Sequence, residues 1–400
     1  MSEAPTKQMN KFKEAKRLAQ LPLYVFAILD KIKSEERAKG KDIIDLTIGS
    51  PSHLPPKEAI EAHIKALADP ATHKYSSFEG DPAFVAAVID WCKNQYDIEI
   101  KKNEVVTLVG SKEGLAHFYF AFLNQGDSIL TPQPIYPSHF RSPALAEAEI
   151  VVLPTEEKNG FLPDLDKIDP KVADKAKILT LTYPTNPTAA VAPREFFVQA
   201  VAFAKKHNLI LIHDFAYAEL YYEKKKPISC LSIPGAKDVC IEFHSLSKTF
   251  GMAGWRLGFA VGNHELITSL KNIKTNLDYG PFIATVKAGT AALRVDKKYL
   301  DDMRANYQIK RDIVIEGLNE LGWKLKNPLA TFYVWFPVPK GFNSMSFVKY
   351  LIEKTGVAVS PGTGFGELGE GFVRIALVDA DDRIREAMDR LKKGGIRYEQ

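Results

Sequence analysis

Short runs rich in β-branched and aromatic residues alternate with longer helical patterns from about residue 80 to 290. This alternation predicts a largely parallel sheet that is covered by helices. The runs predicted as strands are 105–109, 128–131, 150–153, 178–182, 209–213, 239–243 and 257–261. The intervening segments predicted as helices are 111–123, 193–207 and 264–276. The pattern therefore predicts an α/β fold with one large, seven-stranded, mainly parallel sheet.

The rhythm changes after a long helical segment that is predicted over about 282–322. Strands are predicted over 323–338 and 373–378, and helices over 344–354 and 381–393. This is the order of an α+β unit. We therefore expect a large domain over 51–290 and a smaller C-terminal α+β domain over 291–400. Residues 1–50, with a helix over 25–39 and a strand over 42–48, are expected to form an arm that packs with the small domain.

Composition narrows the classes of function. The net charge is +4, from 53 basic and 49 acidic residues, which offers no electrostatic case for nucleic acid or an anionic membrane. The three cysteines lack metal or redox spacing, the nine histidines suggest no ligand set, and no metal is expected. The apolar stretch 21–29 is too short to span a bilayer, and no signal peptide is visible. These features predict a cytoplasmic enzyme.

The segment 245–258 says most about chemistry, because it joins a lysine, hydroxyls and an arginine on a Gly-rich turn. Lys248 would become a nucleophile towards an aldehyde if its surroundings lowered its pKa. Ser245, Ser247 and Arg256 suit a phosphate dianion, since a guanidinium can bind it through two charge-assisted hydrogen bonds. A cofactor that carries both an aldehyde and a phosphate would satisfy the whole segment, and pyridoxal phosphate is one.

Further polar residues follow the predicted strands, where open α/β sheets bind their ligands. Gly110 and Ser111 open a helix and would form an anion site. Asp214 could hold a pyridine nitrogen protonated, while Asn186 and Tyr217 could bond a phenolate oxygen. Each of these residues alone is more often a turn former or a helix cap. Their joint occurrence at successive strand ends favours the functional interpretation.

At these residues the chain resembles pyridoxal-phosphate-dependent aminotransferases of classes I and II, of fold type I, from about residue 21 to 390. The most specific element is Ser245-Leu-Ser-Lys-Thr-Phe-Gly-Met-Ala-Gly-Trp-Arg-Leu-Gly258, which is similar to the family's lysine signature. The resemblance implies transamination between an amino acid and a 2-oxo acid, a large domain that binds the cofactor, and a homodimer with shared sites. Lys248 would be the Schiff-base lysine, with Asp214 and Tyr217 as its catalytic partners. The other residues expected at the cofactor are Ser111, Lys112, Tyr136, Asn186, Ser245, Ser247, Arg256 and, from the neighbouring subunit, Tyr75; those expected at the substrate are Arg374 on its α-carboxylate, Gly49, Asn186 and Tyr24.

Other motifs of the chain bear on the substrate. Gly-Ser-Lys-Glu-Gly at 110–114 and Glu-Phe-His-Ser-Leu-Ser-Lys at 242–248 resemble a branch that holds LL-diaminopimelate aminotransferases and bacterial alanine transaminases. Segments 252–255, 277–280 and 360–366 are more similar to the alanine type, so alanine and glutamate with pyruvate and 2-oxoglutarate are expected. LL-diaminopimelate is the alternative, and aspartate or aromatic substrates stay open. The chain departs from the pattern at Thr188-Ala189, where many relatives have Thr-Gly, and at Phe250-Gly251, where Tyr-Asn is common.

Three competing interpretations are weaker. Ser245-x-x-Lys248 with Lys354-Thr-Gly matches two motifs of penicillin-recognising serine hydrolases, but the third is absent and 354–356 closes a predicted helix. Gly364-Phe-Gly366-Glu-Leu-Gly369 matches a dinucleotide-binding fingerprint, yet a β-rich run follows where a helix should begin. A regulatory protein of this fold would need a DNA-binding module, for which the residues before 21 leave no room.

Overall fold

The computed structural model describes residues 12–19, 21, 25–77 and 79–398. Its centre is a seven-stranded sheet in the order β2-β8-β7-β6-β5-β3-β4. The strands are β1 (Ile44–Asp45), β2 (Val105–Leu108), β3 (Ser128–Gln133), β4 (Glu149–Pro154), β5 (Ala176–Leu181), β6 (Ile210–Asp214), β7 (Cys240–Ser245), β8 (Gly258–Gly262), β9 (Tyr333–Pro337), β10 (Val357–Ala358), β11 (Ser360–Pro361) and β12 (Phe372–Ala376). The predicted α/β fold with one large sheet is confirmed.

Helices cover both faces of this sheet, and further helices pack against the smaller sheets described below. They are α1 (Lys16–Ala19), α2 (Val25–Ala38), α3 (Lys57–Leu67), α4 (Pro82–Tyr96), α5 (Ser111–Phe122), α6 (Ser138–Leu145), α7 (Pro170–Ala173), α8 (Arg194–Lys206), α9 (Leu246–Thr249), α10 (His264–Leu277), α11 (Ile283–Ala292), α12 (Lys297–Glu320), α13 (Ser344–Thr355) and α14 (Asp381–Lys393). No helix among the described residues is both long and apolar enough to cross a membrane.

Alternation along the strands explains the layering. Ile178, Ile212 and Ile241 belong to a buried cluster with apolar residues of α5 and α10, whereas Leu179 and Leu211 belong to the cluster on the other face. Strands β5, β6 and β7 are almost wholly buried, as expected for the middle of a parallel sheet with both faces covered. β8 alone runs antiparallel, to β2 and to β7. The carboxyl ends of the parallel strands therefore meet at one edge.

Two smaller sheets lie beyond the large one. β1 pairs in parallel with β10, and β9, β12 and β11 form an antiparallel sheet. The predicted domain boundaries remain a prediction, because one buried apolar cluster includes residues from both sides of position 290.

Several predicted elements are shorter than expected. The strand predicted over 42–48 is limited to two residues, and of 323–338 just β9 is a strand. The long helix predicted over 282–322 is two helices, because Asp296 caps the backbone N–H of Lys298 and starts α12 anew. The turns over 362–369 are 3₁₀ turns, as expected from the β-rich run that follows them. Gly356 caps the end of α13, so Lys354-Thr-Gly does not lie on a strand.

Candidate active site

Lys248 lies in the short helix α9, which follows β7 directly. Its Nζ donates to the carbonyl oxygen of Gly49 at 2.6 Å. Burial lowers the pKa of this amine to about 8, with further lowering by the positive charges of Arg374 and Arg256. Asp214 opposes the shift. The amine is thus neutral in a substantial fraction of molecules near pH 8, as a nucleophile or a proton acceptor must be.

Asp214 is the last residue of β6, and one of its two carboxylate oxygens has a hydrogen-bond partner while the other has none among the described atoms. Its Oδ2 lies 3.0 Å from Nε2 of His139, a fully buried residue of α6. His139 Nδ1 is 3.3 Å from the hydroxyl of Tyr119, which also contacts Thr180. Oδ1 of Asp214 is buried without a hydrogen-bond partner among the described atoms. An unpaired buried carboxylate oxygen is costly, so it indicates a missing donor.

Tyr217 lies three residues after Asp214 and is buried. Its hydroxyl is 2.8 Å from the hydroxyl of Tyr333, the first residue of β9. The Tyr333 hydroxyl also lies against Gly49, where an added Cβ would be 2.0 Å from it. Glycine is therefore required at position 49 by the space that Tyr333 leaves.

Arg374 is a buried guanidinium on β12, at 3% exposure. Nη1 donates to Asn186 Oδ1 at 2.7 Å, and Nη2 donates to the carbonyl of Thr47 at 2.6 Å and to Ser360 Oγ at 3.2 Å. Its Cζ is 4.2 Å from the ring centroid of Tyr333. Nε has no partner among the described atoms. The side chain is thus held rigidly by neutral groups, and a carboxylate would supply the missing negative charge.

An anion cradle forms where β2, β7 and β8 meet. Ser245 is paired with Gly258 across the sheet, and a Cβ at Gly258 would be 2.9 Å from the backbone nitrogen of Ser111. Gly110 lies close to the exposed guanidinium of Arg256, since a Cβ added to this glycine would be 2.6 Å from Nη2. No side chain caps the first turn of α5. Free N–H groups, the helix dipole and a guanidinium together favour a phosphate.

The remaining predicted site residues differ in how close they lie to Lys248 and the anion cradle. Ser245 Oγ accepts from the buried Ser247 backbone N–H at 3.2 Å, so both lie in the turn before Lys248. Lys112 is exposed in the first turn of α5, where its backbone rather than its side chain adjoins the cradle. Tyr136 is partly buried, and its pKa is raised by burial and by Asp214 but lowered by Ser138, Arg256 and Arg374, which places its ring among these site residues.

Tyr75 is not brought to Lys248 within this chain. It is 83% exposed and packs against Tyr279, with ring centroids 4.8 Å apart and ring planes inclined by 34°. It also lines a cavity of about 300 Å³ that includes Lys274 and Asp278. Tyr24 lies outside the described residues.

Behind the site lies a charged network that the sequence did not reveal. Glu242 on β7 is fully buried and accepts from Nδ1 of His213 and Nε2 of His244, both at 2.8 Å, and from the hydroxyl of Ser229. These bonds hold the pKa of Glu242 at about 2 despite its burial. His213 Nε2 lies 3.0 Å from the carbonyl of Tyr183. The network therefore joins the ends of three adjacent strands.

A three-residue group of metal-ligand type exists in the described ranges, made of Glu113, His117 and Asp278. The ammonium of Lys274 lies 3.0 Å from both oxygens of Glu113 and from Oδ1 of Asp278. Their negative charge is thus already paired with a cation, which disfavours a second one.

These residues suit a phosphate-bearing aldehyde on an aromatic ring. The amine of Lys248 faces the cradle's elements from the same sheet edge, and the orphaned Oδ1 of Asp214 can accept from a protonated ring nitrogen. Sequence reasoning missed His139, Tyr333 and Glu242. His139 could be anticipated only weakly, as a histidine three residues after Tyr136. Tyr333 pairs with a distant residue, Tyr217, and Glu242 has one near partner, His244, with its other partners on separate segments.

A family model for aminotransferase class I and II matches residues 41–391. The chain is 49% identical to LL-diaminopimelate aminotransferase of Maridesulfovibrio salexigens over 387 residues, covering 96% of this chain and 100% of that relative. It is 46% identical to the enzyme of the same name from Aquifex aeolicus, covering 95% and 99%.

Solved structures agree in fold. Substrate-bound BacF from Bacillus subtilis superposes with a TM-score of 0.93 at 38% identity, over 97% of this chain and 99% of that chain. A double mutant of Thermus thermophilus aspartate aminotransferase gives 0.90 at 27% identity, over 96% and 100%. Relatives named for LL-diaminopimelate and for aspartate therefore both match this chain.

Proposed function

Because the chain belongs to the class I and II aminotransferases and uses pyridoxal phosphate, we propose that it transfers an amino group from LL-diaminopimelate to a 2-oxo acid. Eight relatives of that name match at 44–49% identity over at least 95% of this chain. The comparisons do not support alanine and glutamate, which were the expected pair, and favour the alternative. The observation that best supports amino-group transfer is the buried amine of Lys248, whose pKa is lowered to about 8 and whose charge is influenced by Arg374 and Asp214.

Pyridoxal phosphate supplies an electron sink for the bonding electrons of the substrate's Cα–H bond. Lys248 would be the group that carries the cofactor's aldehyde and, once released, moves the proton at Cα. Asp214, oriented by His139, would keep a proton on the ring nitrogen through its free Oδ1. The hydroxyl of Tyr217 and the amide of Asn186 would bind the ring's phenolate oxygen. Tyr136 would stack on the ring.

The phosphate would lie in the anion cradle. Arg256 offers a guanidinium beside Gly110, and the backbone N–H groups of Ser111 and Lys112 belong to the uncapped first turn of α5, where they would donate to the phosphate. The hydroxyls of Ser245 and Ser247 complete the donor set. At the other end, Arg374 would pair with the substrate α-carboxylate, with Asn186 and Gly49 beside it and Tyr24 near the substrate side chain.

We also propose a homodimer in the cytoplasm. Tyr75 and its neighbour Tyr279 are exposed, and Leu277 and Phe282 next to them add exposed apolar surface at 61% and 43%. An apolar patch of this kind favours burial by a second copy. Tyr75 would then reach the partner's phosphate.

The three cysteines are free and buried, as is typical of a reducing compartment.

A donor panel tests the substrate. LL-diaminopimelate, alanine, aspartate and phenylalanine are each supplied with 2-oxoglutarate, and glutamate and the 2-oxo product are measured by mass spectrometry. We expect kcat/KM for LL-diaminopimelate to exceed that for alanine by about 100-fold or more, because a site built for a distal polar group rejects a substrate that lacks it. Lys248→Ala is the matched inactive control. A preference for alanine would overturn the substrate assignment, and release of oxo acid without glutamate would overturn transamination itself.

A further inference from the structure

Tyr333 lies where three separate parts of the site meet. It is 1% exposed, and it begins β9, opposite Ala376 of the strand that carries Arg374. Its hydroxyl is 2.8 Å from that of Tyr217, its ring lies 4.2 Å beneath the guanidinium carbon of Arg374, and its oxygen touches Gly49, the acceptor of the Lys248 amine. One side chain thus contacts Tyr217, Arg374 and the glycine whose carbonyl accepts from the Lys248 amine.

The two hydroxyls form a closed pair. Both side chains are buried, and among the residues that the structure describes each hydroxyl has the other as its hydrogen-bond partner. Each oxygen carries one hydrogen, and one hydrogen can occupy the line between the oxygens. Either tyrosine can be the donor within this pair. The direction of this bond is therefore free to be set by whatever else Tyr217 binds.

A ligand oxygen at Tyr217 would fix that direction. If Tyr217 donates its hydrogen to a phenolate, the hydrogen on the line between the two tyrosines must come from Tyr333. A donated hydrogen bond polarises the O–H group that receives it and makes that group a stronger donor. In the dry interior this strengthening is not diluted by water.

We propose that Tyr333 is a positioning residue that donates to Tyr217, so that the Tyr217 hydroxyl is directed at the phenolate oxygen of the bound cofactor while the Tyr333 ring holds Arg374 flat. This inference rests on the proposed function. It links the group that stabilises the cofactor's negative oxygen to the group that binds the substrate α-carboxylate. The alternative interpretation is that Tyr333 is a structural core residue, whose ring supports Arg374 and whose hydroxyl does not influence the cofactor.

Tyr333→Phe separates the two interpretations, because it keeps the ring and the volume and removes the hydroxyl. The measurement is the pH midpoint at which the visible absorption of the bound cofactor changes, in Tyr333→Phe, Tyr217→Phe and the double variant. Loss of a donor to the phenolate raises this midpoint. We expect a large rise in Tyr217→Phe, a smaller rise of about 0.5 pH unit in Tyr333→Phe, and no added rise in the double variant, because Tyr333 acts through Tyr217.

Kinetics supply a second measurement. We expect kcat of Tyr333→Phe to fall by about 3- to 10-fold, the factor for one hydrogen bond. KM for the amino donor should change little, because the ring beneath Arg374 remains. Tyr222→Phe is the matched control: Tyr222 is equally buried, bonds the carbonyl of Thr331 and lies 4.8 Å beneath the guanidinium of Arg311, away from Lys248. Its midpoint should equal that of the wild type.

Each failure has its own meaning. An unchanged midpoint in Tyr333→Phe, with a raised one in Tyr217→Phe, overturns the role of Tyr333 alone. A rise in Tyr333→Phe that persists undiminished in the Tyr217→Phe background also overturns it, since the effect would not pass through Tyr217. An unchanged midpoint in Tyr217→Phe overturns the proposed role of Tyr217 and that of Tyr333 with it. Failure of the proposed function would appear separately, as loss of transamination in the wild type.

Discussion

The buried amine of Lys248 should reduce the stability of the cofactor-free protein at neutral pH. Its surroundings lower its pKa from the ordinary 10.5 to about 8. A difference of roughly 2.5 in pKa, at about 1.4 kcal/mol per pH unit, corresponds to roughly 3 kcal/mol of destabilisation of the charged form. Lys248→Met removes the charge and keeps the apolar stem. The lost hydrogen bond to Gly49 offsets about 1 kcal/mol of the gain.

The sign of the pH dependence follows from linkage. Below pH 8 the amine is charged in both the folded and unfolded states, and the folded state carries the whole penalty. Between about 8 and 10.5 the unfolded state binds the additional proton, so wild-type stability rises with pH relative to the variant. We therefore expect Lys248→Met to be more stable by about 2 kcal/mol at pH 7. The difference should disappear, or reverse slightly, near pH 10.5.

Urea denaturation of the cofactor-free proteins, followed by circular dichroism at pH 7, 9 and 10.5, measures this difference. Lys206→Met is the control, because Lys206 is an exposed lysine at the end of α8. It should show no pH-dependent difference over the same range. A gap between Lys248→Met and wild type that does not vary with pH, or a variant less stable at pH 7, would refute the reasoning.

Two further predictions concern packing and charge. Gly49→Ala should lower the thermal unfolding midpoint and weaken cofactor binding, because its Cβ would lie 2.0 Å from the Tyr333 hydroxyl. The control Gly254→Ala, which has open space around it, should do neither. Adding Tyr333→Phe to the Gly49→Ala protein should restore part of the lost stability and binding. No restoration would mean that the clash is not the cause. Glu242→Gln should cost about 3 kcal/mol or more in urea denaturation at pH 7, since an amide replaces a carboxylate that four donors face, one of them the backbone N–H of Cys230. The pKa of Glu242 is lowered from 4.5 to about 2, so the stability that its carboxylate contributes is present above pH 4.5 and lost as the pH falls through 2. The difference in unfolding free energy between the wild type and Glu242→Gln should therefore narrow on acidification. A difference that stays constant with pH would contradict this assignment.

The large sheet was predictable because its strands are short, apolar and bounded by clear helical patterns. Residues at strand ends were predictable for the same reason, since parallel strands bring their carboxyl ends to one edge. Asp214 ends β6 and Lys248 follows the neighbouring strand β7, so the strand order alone brings them close together.

Contacts between distant segments were not predictable in this way. Arg374 and Asn186 are 188 positions apart, and Tyr333 and Tyr217 are 116 apart. No local pattern encodes such pairs, because they depend on how β9 and β12 are placed against the large sheet. The split between α11 and α12 depended on one cap, Asp296, inside an otherwise continuous helical pattern.

Each of the two departures from the family pattern includes a residue in the left-handed backbone region: Ala189 has φ 59° and Gly251 has φ 63°. Glycine adopts this region without strain, asparagine tolerates it, and alanine does so at a cost of about 1–2 kcal/mol. At Gly251 a Cβ would also lie 2.4 Å from the carbonyl oxygen of His53, so glycine suits this position. At position 189 the conformation accounts for the glycine of many relatives, and the alanine of this chain has no structural explanation.

The network around Glu242 has a consequence for how such an enzyme can change its substrate over evolution. Its charges are paired among themselves behind the sheet, and its bonds hold the strand ends that present Asn186, Asp214 and Lys248. These strand ends are therefore anchored from the rear of the sheet. Substitutions in front of the sheet edge can change which substrate side chain is accepted without weakening the bonds that hold these strand ends.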